Sequence, residues 1–172
     1  IDMLIKNNCI HNAGRGLWMD WMAQGTRITG NICFDNTTDD FLSEVNHGPY
    51  LVDNNIFLSE IWLYDVSQGG AFVNNLILGR AKRNPDRRLT PYHKAHSTEV
   101  VALKNILGGD NRFYNNIFIA GYAPIPSSEG QSATRRVRVG YGLDIYNDAE
   151  LPMYVDGNIY YKGAKPYAKE IN

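Results

Sequence analysis

At 172 residues the chain has the length of one domain and enough material for a sizeable core. Its formal net charge is −1, with 17 basic against 18 acidic residues and no long run of either sign, so it lacks the electrostatic footprint of a partner for nucleic acid or an anionic membrane. No stretch reaches the ~18 consecutive apolar residues of a membrane-spanning helix, and two cysteines are too few for a disulfide framework or a zinc cluster.

The chain opens on Ile1, in a frame (Ile1-Asp2-Met3-Leu4-Ile5-Lys6-Asn7-Asn8) that already looks like the middle of a repeat. It is therefore expected to be a fragment of a longer polypeptide, whose remainder is a partner, and its start gives no cellular compartment. An asparagine followed by alternating apolar residues recurs at Asn8, Asn31, Asn55, Asn75, Asn116 and Asn158, at intervals of 23, 24, 20, 41 and 42 residues. Intervals of 20 to 24 suit a solenoid coil of short strands and turns. The doubled ones suit coils whose asparagine has drifted or lies under an insertion.

Four repeats carry a doubled asparagine (Asn7-Asn8, Asn54-Asn55, Asn74-Asn75, Asn115-Asn116) and a fifth has Gly157-Asn158. Asn and Gly both accept the left-handed backbone of a tight corner, and stacked asparagines can hydrogen-bond along a column. These residues are read as structural corners rather than ligands. Cys9 and Cys33 fall one and two residues after their repeat asparagines, so they are expected on opposite sides of the coil wall and unpaired.

Within this frame Asp20 and Glu44 each precede an asparagine, Asn31 and Asn55, by eleven residues. Successive coils would set them one above the other at the ~4.8 Å spacing of parallel strands, close to the ~5–5.5 Å between the carboxyls of a retaining glycosidase. Stacked like charges are unfavourable unless a role compensates, and such a pair can divide the work of proton donor and nucleophile. Period-two alternation puts Leu17, Met19, Phe41, Ser43, Ile61 and Leu63 in the core, and Trp18, Asp20, Leu42, Glu44, Trp62 and Tyr64 on the outer wall. Trp18 and Trp62 are then candidate sugar-stacking platforms. His47 follows Glu44 at a turn as a candidate substrate contact, and Asp65 could take Tyr64's place in the acidic column.

Two loops are expected to leave the coil, at 79–99 and 124–134, both marked by proline and polar residues. The first carries Tyr92, His93 and His96, read as loop-anchoring or substrate-binding groups because no acidic cluster accompanies the histidines to complete a metal shell. Arg80, Lys82, Arg83, Arg87 and Arg88 read as a solvated basic face of that loop. Nothing in the chain asks for a cofactor or a metal.

The blocks GLWMDWMAQGTRITGN, FLSEVNHGPYLVDNNIFLS, TPYHKAHSTE and GGDNRFYNNIF, in that order between about Gly14 and Phe118, resemble the catalytic β-helix of the family 120 glycoside hydrolases, the β-xylosidases. The resemblance implies an all-β chain, the C-terminal part of a right-handed parallel β-helix. It also implies a retaining exo-acting enzyme that removes xylose from the non-reducing end of xylo-oligosaccharides, with Asp20 as nucleophile and Glu44 as general acid/base. The residues alone leave open which carboxylate does which, and leave a non-catalytic glycan-binding or structural β-helix as the alternative.

Overall fold

A computed structural model describes residues 2–94, 96–121 and 137–170. The chain rises in coils of three short strands. β1 (Leu4–Lys6), β2 (Cys9–His11) and β3 (Arg15–Met19) form the first; β4 (Arg27–Thr29), β5 (Ile32–Phe34) and β6 (Asp39–Glu44) the second; β7 (Tyr50–Asp53), β8 (Ile56–Phe57) and β9 (Ile61–Val66) the third. β10 (Gly70–Val73), β11 (Leu76–Ile77) and β12 (Arg80–Arg83) form the fourth, and an antiparallel hairpin of β13 (Leu89–His93) and β14 (Val100–Asn105) leaves it. β15 (Arg112–Tyr114), β16 (Ile117–Ile119) and β17 (Arg138–Gly140) follow, then β18 (Tyr154–Asp156) and β19 (Ile159–Tyr161). First, second and third strands of each coil stack into three sheets, parallel throughout except that β17 runs antiparallel to β12. The architecture is a parallel β-helix, as the repeat predicts.

The asparagine column forms as a continuous ladder. In each pair of neighbours, Asn8–Asn31, Asn31–Asn55, Asn55–Asn75, Asn75–Asn116 and Asn116–Asn158, the backbone N–H and side-chain amide of the first both donate to Oδ1 of the second, at 2.8–3.1 Å. The residue before each ladder asparagine supplies the left-handed corner, with φ from 55° to 67° at Asn7, Gly30, Asn54, Asn74, Asn115 and Gly157. Since Asn75 bonds directly to Asn116, and Asn116 to Asn158, the doubled intervals hold insertions and no extra coil.

Inward side chains stack in register. Ile5, Ile28, Val52, Phe72, Phe113 and Val155 form one column; Ile10, Cys33, Phe57, Ile77, Phe118 and Tyr160 form another. Cys9 is exposed and Cys33 buried, both free, and burial pushes the Cys33 thiol up to about 12.

The third sheet departs from simple alternation. Asp40 and Phe41 are both buried, as are Trp62 and Leu63, and the β9–β12 register shifts between Arg80 and Ala81. A bulge at Trp62 in β9 thus lets Trp62 and Leu63 both turn inward. Gly16 occupies the matching place in β3, where a Cβ would lie 2.5 Å from the carbonyl oxygen of Asp40. Trp62 is consequently no outer platform: it is fully buried among Phe57, Phe72 and Phe118. Tyr64 pairs with Leu42, and Glu44 pairs with Val66, so neither Tyr64 nor Asp65 continues the acidic column. Asp65 points inward, where Tyr146 Oη (2.7 Å), Asn111 Nδ2 (3.2 Å) and the N–H of Ser67 (2.9 Å) donate to it.

The stretch 79–99, expected as a loop, instead begins with a rung: β12 belongs to the third sheet, and Leu89–His93 is half of the hairpin. Arg80 and Arg83 are buried in ion pairs with Glu60 and Asp148 rather than solvated. Their side chains compensate charge at the coil wall, which composition alone reads as a polar loop. The expected loop at 124–134 lies outside the described residues. Among those described, no helix is long and apolar enough to cross a membrane.

Candidate active site on the third sheet

β3 and β6 pair in parallel with Leu17 opposite Phe41, Trp18 opposite Leu42 and Met19 opposite Ser43. The same register carried one residue past the end of β3 sets Asp20 against Glu44, next to buried Met19 and Ser43. Adjacent parallel strands hold such positions ~4.8 Å apart at the backbone. The equal offsets from the asparagine ladder thus translate into equal heights on the wall.

The corners behind the two acids are clamped by one buried side chain. Asn46 Nδ2 donates to the carbonyls of Met19 (2.9 Å) and Glu44 (3.1 Å), while its Oδ1 accepts from the N–H of Ala23 (2.7 Å). The backbone around both carboxylates is therefore tied through a single amide. Val45, next to Glu44, has φ 47°, a left-handed conformation that a β-branched residue adopts only where its surroundings over-determine it. Its side chain is held in a small apolar cluster with Leu42, Val66 and Ile106, where Ile106 comes from the segment after the hairpin.

Both oxygens of Glu44 have partners. The Trp18 indole Nε1 donates to Oε2 at 2.9 Å, and the Arg88 guanidinium lies 3.6 Å from Oε1. Arg88 is steadied by Asp86 (2.7 Å) and lies 5.6 Å over the Trp21 ring. Asp20 accepts the N–H of Trp21 on Oδ1 at 2.7 Å and is otherwise open to solvent. Trp18 and Trp21 are 57% and 43% exposed, unusual for indoles and suited to the apolar face of a sugar ring.

Trp21 and Asp86 carry no signal in the sequence, and Arg88, expected on a solvated basic face, instead reaches Glu44. Arg88 sits in the basic run whose members the fold disperses, and no local pattern tells which of five arginines and lysines turns towards the wall.

The remaining predicted residues lie elsewhere. His47 is buried and has both ring nitrogens engaged: Nε2 faces the carbonyls of Thr90 (3.3 Å) and Lys104 (3.2 Å), and Gln68 Nε2 lies 3.2 Å from Nδ1. It joins the coil corner to the hairpin, and burial pushes its imidazole below the ordinary value. Tyr92 packs edge-on against His47 at 5.8 Å, and both line a cavity of about 480 Å³ that does not include the acids. His93 takes the Gln24 side chain on its N–H (2.7 Å) and places Nδ1 3.2 Å from the carbonyl of Thr98. His96 is exposed, 3.5 Å from Asp2. Among the contacts described, these three residues touch His47, Gln24, Thr98 and Asp2.

No protein-family model matches the sequence, and no curated protein matches it. Among solved structures the whole chain superposes on XylC, determined in complex with xylose, with a TM-score of 0.81 and 39% sequence identity. The match takes in 100% of this chain and 28% of that one, so the chain is similar to little more than a quarter of XylC.

Proposed function

We propose that the chain carries the catalytic carboxylate pair of a retaining glycoside hydrolase, of the kind represented by the family 120 β-xylosidases, releasing xylose from the non-reducing end of xylo-oligosaccharides. The observation that supports it most is the placement of Asp20 and Glu44 at one height on adjacent rungs, facing out beside two exposed tryptophans. Similarity to a protein solved with xylose supports the choice of sugar.

In this reading the two acids take different roles. Asp20, with one oxygen capped by a backbone N–H, attacks the anomeric carbon as the bond to the leaving oxygen breaks. Glu44, held by Trp18, gives its proton to that oxygen. Glu44 then takes a proton from water, which attacks the same carbon and frees Asp20 with net retention.

In the full-length protein, Asp20→Ala is expected to abolish hydrolysis of an aryl β-xyloside, and added azide to restore turnover as the glycosyl azide of inverted configuration. Hydrolysis persisting in that variant would take the nucleophile's role from Asp20. The exposed indoles alone also suit a glycan-binding wall without catalysis. That second reading gains if xylo-oligosaccharides bind equally well after substitution of both acids and no xyloside is cleaved.

A further inference from the structure

We propose that a groove on the outer face of the third sheet, running away from Trp18, is a second sugar subsite that takes a carboxylate-bearing unit, a uronic acid, in the leaving-group part of the substrate. The inference rests on the hydrolase reading above and adds to it a substrate class.

The groove is continuous with the acids through named contacts. Trp18 reaches Glu44 with its indole N–H, and the other partner of its ring is Arg15, whose guanidinium lies 5.2 Å over it. Arg15 in turn lines a cavity of about 540 Å³ together with Asp39, Ile61, Tyr64, Arg80 and Lys82. The same bulge that turns Trp62 inward leaves Ile61 and Tyr64 facing this groove. A substrate with its scissile bond at Glu44 therefore continues past Trp18 onto a floor of aromatic and apolar side chains, which suits the C–H face of a pyranose.

Among the described residues the groove is lined by three cations, Arg15, Arg80 and Lys82, and two carboxylates, Asp39 and Glu60. Arg15 is held by Asp39 at 2.8 Å, and Arg80 pairs with Glu60. Lys82 has no carboxylate partner among the described residues; its ammonium lies 4.5 Å over the Tyr64 ring. In register it stands between Tyr64 and Val139, neighbours that an apolar side chain would serve at least as well. Lys82 is half-buried with only the Tyr64 ring against its ammonium, so the groove offers an anion a cation that no described carboxylate holds. A sugar carboxylate supplies that anion, as a charge-assisted hydrogen bond.

The test uses the full-length protein and two xylo-oligosaccharides that differ only in a uronic acid substituent on the leaving-group side. The acidic substrate is expected to show a kcat/KM about tenfold higher or more at low ionic strength, the low end of one hydrogen bond to a charged group. Raising salt should shrink that ratio, since a pair at a groove mouth is partly screened. Lys82→Met should bring the ratio to one, and Lys82→Arg should keep most of it. Equal values for the two substrates, or a preference that survives Lys82→Met, overturns the inference while leaving the hydrolase reading intact. If neither substrate is cleaved, the hydrolase reading fails, and calorimetric binding of the same pair still decides the groove: tighter, Lys82-dependent binding of the acidic oligosaccharide supports it, and equal binding overturns it.

Discussion

Trp18 joins the two halves of the candidate site, giving its N–H to Glu44 and one ring face to Arg15. Trp18→Phe keeps an aromatic surface and removes only the bond to the carboxylate. It is expected to lower kcat/KM on a neutral xyloside about tenfold, the worth of one hydrogen bond to a charged group. An unchanged kcat/KM would mean that Glu44 is held by other means. Asp20, Glu44 and Trp18 were legible in sequence because their offsets from the asparagines are equal and β3 and β6 keep those offsets in register. Trp62 was misread for the same reason. Strict alternation assigns it outward, but the rung bulge adds one residue that no turn signal announces, and the indole swings into the core. No sequence signal marks Asn46 as a clamp; its three bonds to the backbone around both acids depend on which corner lies above which.

The hairpin of β13 and β14 hangs from the coil by a few polar contacts, with His47 at its base. With Nδ1 taking the Gln68 amide, Nε2 carries the single proton and donates to the hairpin carbonyls, so the ring works in its neutral form. Its folded value is lowered by burial. The stability it contributes is therefore fully present above the ordinary value of about 6.5 and is lost as pH falls from there through the lower folded value. Amide exchange in β13 and β14, corrected for intrinsic rates, is expected to accelerate over that descent in the native protein and to lose the dependence in His47→Gln. A native profile without the acceleration would detach the hairpin from His47. This element was half legible: prolines and charge marked a departure from the repeat, but its strands, its anchor and its distance from the acids follow from contacts between residues 43 and 69 positions apart.

For the whole chain the asparagine ladder is the continuous device, and it was the most legible feature because one residue type recurs at one place in every coil. Its members differ in what they support. Asn75 accepts from both nitrogens of Asn55 and donates to Val52 and Asn116, deep in the stack. Asn75→Ala is expected to cost about 3 kcal/mol through several unsatisfied buried groups. Urea unfolding of this variant measures the loss, and a cost under about 1 kcal/mol would show that the ladder adds little to the stack.

The insertion in the fourth coil separates two tasks along the chain. The acids are set by the first two coils and their register, whereas Arg88 and Ile106, which close over that wall, arrive some forty to sixty residues later from an excursion the ladder passes by without a break. On the proposed function, exchanging the excursion for that of a related solenoid should slow cleavage, because Arg88 and Ile106 hold Glu44 and Val45, while its stereochemical course, which depends on the register of the two coils, stays the same.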